Sequence, residues 1–294
     1  MADKLPQWQR ELINFKGIKS LFVLEKNIND LYLSWDVSLE KVEPLDYDFL
    51  PMTDVLAGIF EDETHASGYR MVFWDPISHF TNPRGDQGLV ELLKEANREA
   101  QELAKEEARI NAFAQRAGQE SQLVRDSRII RALLTRNVNT GVAARPLCVV
   151  VGMASRIVPS AESLMPEDIN VFSNLLLAAD GALTPDTRSK NTLVLLADNL
   201  RDLPEWLISS NPNLRSIVVA KPDRDAREAY VEAFFGIEKS AGDTGQKSER
   251  ERFIDKTDGM TLRELDELRR MYRRPDAGMS LSALVDVYKY GMRE

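Results

Sequence analysis

The sequence predicts an open α/β fold: a five-stranded parallel sheet sandwiched by helices, followed by a small helical subdomain. Three observations predict it. Five short runs are rich in Val, Leu or Ile without alternation, as in strands covered on both faces. Helix-length stretches separate those runs, which is the pattern of parallel strands joined by crossovers. Two more helical stretches then follow a polar, Gly-rich segment.

The first strand is expected in "SLFVLE" (20–25) and the second in "YRMVFWDP" (69–76), where Pro76 stops it. "LCVVVG" (147–152), "TLVLLA" (192–197) and "LRSIVVAKP" (214–222) complete the five. Helices are expected in "DVLAGIFEDE" (54–63), "DSRIIRALLTRN" (126–137), "PEDINVFSNLLLAAD" (166–180) and "DAREAYVEAFF" (225–235). Residues 89–117 carry small or apolar residues at Leu89, Leu93, Ala96, Ala100, Leu103, Ile110 and Ala114, a heptad-like stripe. A helix of that length spans roughly 43 Å at about 1.5 Å per residue, more than a crossover needs. Two readings follow: a solvated helix laid over its own sheet, which is favoured, or an arm that grips a protein partner.

"GIEKSAGDTGQKSER" (236–250) has no periodicity and reads as a linker. Its Lys247–Ser248 pair resembles the end of a phosphate loop. That pattern needs glycines where Ala241 and Gln246 stand, and no strand precedes it. "TLRELDELRRMYRR" and "MSLSALVDVYKYGM" follow, with Thr261 and Ser280 as expected caps. The expected domains are therefore residues 1–236, a linker 237–250 and a helical lid 251–294.

Composition removes several function classes. With 294 residues and 43% apolar content, the chain can bury one sizeable core or a core with a small appendage. Its longest uncharged apolar runs are far too short to cross a bilayer, and the N-terminus lacks the apolar centre of a signal peptide, so a cytoplasmic location is expected. The lone Cys148 lies inside an apolar strand, as expected of a reducing compartment. A formal charge of −9 repels a phosphate backbone, which disfavours nucleic acid.

The familiar chemistries also lack their residues. Two histidines, His65 and His79, and one cysteine make no zinc set of the usual type, and both histidines read as surface or loop residues. No G-x-S-x-G elbow and no G-x-G-x-x-G after the first strand occur. The acid pairs Glu106–Glu107 and Asp223–Asp225 fall in charge-rich, solvated stretches.

The order of parts, with the run "NTLVLLADNLRDLPEWLISSNPNLRSIVVAKPDRDAREAY", resembles an AAA+ ATPase module of the P-loop-NTPase type. Asn199 in "LLADN" matches that family's polar sensor at the end of the fourth strand. Pro222, Asp223 and Arg227 match its Pro-acid turn and Arg-bearing helix, and Thr257, Gly259, Thr261 and Leu265 match its lid opening. "FKGIKSLFVLEKNINDLY" and "VDVYKYGMRE" resemble the first module of bacterial Clp-like proteins with two AAA+ modules. The resemblance implies an active AAA+ module as partner, on the same natural chain beyond residue 294 or on another, and neighbouring copies in a ring.

The catalytic signatures depart from that pattern. Where the glycine loop belongs, the chain reads "LEKNINDLY", with acidic Glu25 and Asp30 and no glycine to let backbone approach phosphate. Where an Asp-Glu pair would hold magnesium and activate water, Gly152 and Met153 stand. At the expected arginine-finger positions lie Ser209 and Pro212, with Arg215 just beyond as a possible inter-subunit residue. A structural pairing of Arg215 with an acid is the favoured reading. The expectation is a degenerate module that serves assembly or regulation, with no cofactor and no catalytic residue of its own. The alternative keeps ATP and magnesium on a vestigial nucleotide face of Lys26, Asn27, Asn29 and Asn199, with Asp75 or Asp198 as recruited acids. A third reading retains the pocket for a regulatory ligand.

Overall fold

A computed structural model describes residues 5–34, 48–63, 68–110, 120–138, 145–185, 188–235, 248–273 and 279–291. The chain divides into two compact units, residues 1–28 with 57–219 and residues 29–56 with 220–294.

The first unit is built on a six-stranded sheet. Its strands are β1 (Leu21–Lys26), β4 (Arg70–Asp75), β5 (His79–Thr81), β6 (Leu147–Val151), β7 (Thr192–Ala197) and β8 (Leu214–Val219), in the order β5-β4-β6-β7-β1-β8. All neighbours pair in parallel except β4 and β5, which form an antiparallel hairpin with Asp75 opposite His79. The five predicted strands are thus present, and β5 adds a sixth at the edge. Three residues of mixed polarity, "HFT", carry no strand signal of their own; β5 exists because β4 pairs with it.

Both faces of the central strands are covered, which explains their unbroken apolar runs. Leu21, Val23, Val72, Trp74, Val149, Val151, Leu193 and Leu195 face a layer of three helices, α3 (Leu89–Ile110), α4 (Gln122–Thr135) and α5 (Pro166–Asp180). On the alternate positions Phe22 meets Phe60 of α2 (Met52–Glu61) edge to face at 6.4 Å. Lys16, just past α1 (Gln7–Phe15), is buried and donates to the carbonyl of Ile59 at 2.9 Å and to that of Asp62, closing the C-terminal end of α2. Burial holds the Lys16 ammonium below its ordinary pKa.

The stripe of α3 is spent on its own unit: Leu89, Leu92, Ala96, Ala100 and Leu103 are buried, and Ala100 and Leu103 pack on Ala132 of α4. Its outer face neutralises itself through pairs three residues apart, Glu91–Lys94 at 2.8 Å, Glu102–Lys105 at 2.6 Å, and Glu95–Arg98. Residues 111–117 of the predicted long helix lie outside the described residues.

Among its described residues, the second unit holds an antiparallel hairpin, β2 (Leu31–Ser34) with β3 (Asp48–Pro51), and the helices α7 (Arg224–Phe235), α8 (Glu249–Lys256), α9 (Leu262–Tyr272) and α10 (Leu281–Tyr290). Tyr230, Val231, Phe253, Ile254, Leu262, Leu265, Leu268, Leu281 and Leu284 form its core, with Phe49 stacked edge to face on Tyr230 at 5.0 Å. Residues 220–235, assigned by sequence to the α/β domain, cluster here instead, because the inner face of α7 packs on these helices. Thr261 and Ser280 cap α9 and α10 as expected. Ser248, the end of the apparent phosphate loop, caps α8 in a reciprocal pair with Glu251; most of the expected linker lies outside the described residues.

Candidate functional site

The parallel strands of the first unit place their C-terminal ends on one edge of the sheet, where open α/β sheets bind ligands. The chain leaves β1 there through Lys26, whose φ of 83° is left-handed. That turn points three successive amides back into the protein. Lys26 N–H donates to the Asp198 carbonyl at 3.2 Å, Asn27 N–H to that of Val219 at 3.1 Å, and Ile28 N–H to that of Lys26 at 2.9 Å. A phosphate cradle needs such amides free and convergent.

Glu25 is buried at the end of β1, and its carboxylate accepts the Leu200 N–H at 2.8 Å with the Lys26 ammonium 3.9 Å away. The acid therefore holds the start of a 3-10 turn, Leu200–Asp202, across the tip of the neighbouring strand. Asn199 caps the same turn, its side-chain oxygen accepting the Arg201 N–H at 3.2 Å. Asp198 is tied in by its own N–H, which donates to Ser155 Oγ at 2.8 Å, while its carboxylate lies 3.6 Å from Arg156.

At the end of β6, Gly152 donates its N–H to the Trp74 carbonyl at 2.8 Å. A Cβ built on Gly152 would meet the Asp75 Cβ at 3.5 Å, an ordinary contact, so space does not demand glycine. Met153 follows in the left-handed region (φ 52°, ψ 37°) and opens a second 3-10 turn, Ala154–Arg156, with half of its surface exposed. The Asp75 carboxylate is engaged in the β4–β5 turn, accepting from Ile77 N–H at 2.8 Å and Ser78 N–H at 2.7 Å.

The edge thus gathers Glu25, Lys26, Asn27, Asp75, Gly152, Met153, Asp198 and Asn199. Asn29 is exposed and groups with the second unit, as does Asp30, the other acid of "LEKNINDLY". Asp30 is buried: its carboxylate accepts from Leu31 N–H at 2.8 Å and from the first amides of α9, Leu262 at 3.2 Å and Arg263 at 2.9 Å. Arg215 on β8 pairs with Glu11 of α1 and lies over the Phe15 ring at 4.7 Å. Arg227 is buried and bonds Asp258 at 3.0 Å and the Pro222 carbonyl at 2.9 Å.

One cluster on this edge has no counterpart in the sequence reading. Asp126, buried in the first turns of α4, accepts from Trp74 Nε1–H at 2.9 Å and Gln122 Nε2–H at 2.6 Å, and bonds His79 Nδ1 at 2.7 Å. His79 takes a left-handed φ of 59° to make that contact. Gln122 and Asp126 stand four residues apart on α4, a spacing visible in sequence, but Trp74 and His79 arrive from a hairpin about fifty positions away. Among the described residues, no group of three or more His, Cys, Asp or Glu could hold a metal ion, and no helix is long and apolar enough to cross a membrane.

This sheet order, with crossover helices on both faces and a separate helical unit, defines a Rossmann-like α/β protein. The chain belongs to the AAA+ chaperone family: residues 2–220 match the family's N-terminal Rossmann-like domain. That match ends within one residue of the boundary between the compact units at Val219. No curated protein matches the sequence. Among solved structures, a chain of the Escherichia coli MS115-1 HORMA:CdnC:Trip13 complex is similar, with a TM-score of 0.47, 11% identity, and coverage of 92% of this chain and 73% of that one.

Proposed function

We propose that this chain is a degenerate AAA+ module that neither cradles nor hydrolyses a nucleoside triphosphate, and that it serves as an assembly or regulatory element of a Clp-like AAA+ ATPase complex. One observation carries the reading: the amides of Lys26, the last residue of β1, and of Asn27 and Ile28 after it are all bonded to protein carbonyls. Freeing them for phosphate would break three backbone hydrogen bonds, each worth about 0.5–1.5 kcal/mol net. Glu25 adds to that. Its carboxylate adds negative charge where a phosphate would sit, offset in part by the Lys26 ammonium 3.9 Å away. At the Walker B positions, Gly152 and Met153 supply no oxygen to magnesium and no base to water. The partners under this reading are an active AAA+ module, on the same natural chain or on another, and neighbouring copies in a ring.

The alternative ATPase needs Asp75 or Asp198 as its acid. Asp75 already serves two turn amides, and Asp198 faces Arg156. Calorimetric titration of Mg-ATP into the purified chain, with phosphate release followed in parallel, separates the two. The expected result is no saturable heat up to millimolar nucleotide and no phosphate. Micromolar binding with turnover that Asp75→Ala abolishes would overturn the proposal.

A further inference from the structure

Two aspartates in the sequence are followed by glycine, Asp180–Gly181 and Asp258–Gly259. Such a step is the one most open to attack on its own side chain, because the glycine has no Cβ to keep its nitrogen from the aspartyl Cγ. The fold treats the two steps differently. Asp180 is the last residue of α5, and the Gly181 N–H closes that helix by donating to the Leu177 carbonyl at 3.0 Å. The Asp180 carboxylate accepts from Asn213 Nδ2–H at 3.0 Å. Attack by the Gly181 nitrogen would break the bond that ends the helix.

Asp258 and Gly259 are exposed in the turn between α8 and α9. The amides on either side are engaged, Asp258 N–H with the Asp255 carbonyl at 3.2 Å and Met260 N–H with that of Thr257 at 3.0 Å, whereas the Gly259 N–H has no partner among the described residues. Gly259 has a φ of 75°, and a Cβ built on it would meet nothing within 4 Å. The nitrogen is therefore both free and uncrowded. The Lys289 ammonium donates to the Asp258 carbonyl at 2.9 Å, a charge-assisted bond that draws electron density from the peptide link to Gly259 and makes its N–H more acidic. The Asp258 side chain is 81% exposed and is held at one oxygen, which accepts from Arg227 Nη2–H at 3.0 Å.

We propose that Asp258–Gly259 is a site of spontaneous isomerisation to isoaspartate. The Gly259 nitrogen attacks Cγ of the protonated carboxyl; the N–Cγ bond forms, the Cγ–OH bond breaks, and the hydroxyl leaves as water with the amide proton. Water then opens the resulting five-membered imide. Opening at Cγ restores aspartate. Opening at the former main-chain carbonyl leaves the chain running through Cβ and Cγ, one methylene longer at unchanged mass, with the carboxylate now on Cα. The step needs no co-reactant besides water. Its consequence falls on Arg227, whose side chain is buried and whose Nε has no hydrogen-bond partner. Moving the carboxylate takes away its acid and leaves it the Pro222 carbonyl at 2.9 Å. The inference is independent of the nucleotide reading, since none of these residues lies among those at the sheet edge.

Incubation of the full chain at neutral pH and physiological temperature, followed by electron-transfer mass spectrometry of its proteolytic peptides, measures isoaspartate at each position. Isoaspartate should form at 258 at least tenfold faster than at 180. In chain kept unfolded by guanidinium the two rates should agree within about threefold, because the contrast belongs to the fold. Asp258→Glu keeps a carboxylate for Arg227 but would have to close a six-membered ring, so it should abolish the signal at 258 while circular dichroism stays that of the parent. The aged fraction should unfold at lower urea than fresh chain. The proposal is overturned if no isoaspartate appears at 258, if 258 and 180 react equally in the folded chain, or if their contrast persists in the unfolded one. An aged fraction as stable as fresh chain would overturn the consequence drawn for Arg227.

Discussion

Replacing Asp126 by alanine removes a buried acceptor that three side chains share. Trp74 loses most, because it is 2% exposed and its indole N–H, now 2.9 Å from the carboxylate, would have neither protein nor water to bond. A buried donor left unsatisfied costs about 1–3 kcal/mol. Gln122 and His79 are partly exposed and recover water, so each forfeits only the net worth of its bond, roughly 0.5–1.5 kcal/mol. Together these give a loss of about 2–6 kcal/mol for Asp126→Ala. Asp126→Asn keeps one carbonyl for Trp74 but turns an amide donor toward Gln122 or His79, so its loss should be smaller, about 1–2 kcal/mol. Urea unfolding followed by tryptophan fluorescence measures both, and the midpoint should fall with an unchanged slope. An alanine variant within 1 kcal/mol of the parent, or an asparagine variant less stable than the alanine one, would refute the reasoning.

Two further outcomes follow from the same kind of accounting. Asp86 receives Arg70 through two bonds of 2.6 and 3.1 Å and the Gly88 N–H at 2.8 Å, and the Arg70 guanidinium holds its carboxyl below the ordinary range. A depressed folded value means that the stabilisation is complete above the unfolded carboxyl pKa of about 3.9 and is lost as pH falls through the folded value. Asp86→Asn should therefore cost about 1–2 kcal/mol at pH 7, with the gap to the parent closing in denaturant titrations as pH falls below the ordinary carboxyl range. Asp30→Ala strips the acceptor from the first two amides of α9 and should raise hydrogen exchange at Leu262 and Arg263 by about thirtyfold or more, the equivalent of roughly 2 kcal/mol; unchanged protection there would exclude the capping role.

Sequence made the local parts of this fold legible. The strands β1, β4, β6, β7 and β8 are five or six residues long and each holds an apolar run, broken only in β8 by Arg215 and Ser216, and α5 begins at Pro166 and ends before Gly181 as its start and stop signals require. What escaped has its cause elsewhere in the chain. Strand β5 forms because β4 offers an edge, and α7 belongs with the C-terminal helices because of what Tyr230 and Val231 touch. The start of α8 was legible in the Ser248–Glu251 spacing but was masked by the Gly-rich stretch before it.

At the sheet edge the sequence shows which groups are present, while the structure shows how they are used. That "LEKNINDLY" lacks glycines is plain from the text; that Glu25 reaches Leu200, 175 residues away, is not. The distinction bears on Gly152. An acid there would meet ordinary space, with its Cβ 3.5 Å from that of Asp75, so crowding does not explain its absence. Two carboxylates on side chains rooted that close repel unless a cation or a proton lies between them, and Asp75 is already fixed on Ile77 and Ser78. Metal-free Gly152→Asp should therefore be less stable at pH 7 than Gly152→Asn, and the deficit should shrink in acid. A deficit that magnesium also removes would mean that this edge accepts an ion when an acid stands at position 152. One that magnesium leaves untouched would mean that the turns built by Glu25, Asp75 and Asn199 have closed it.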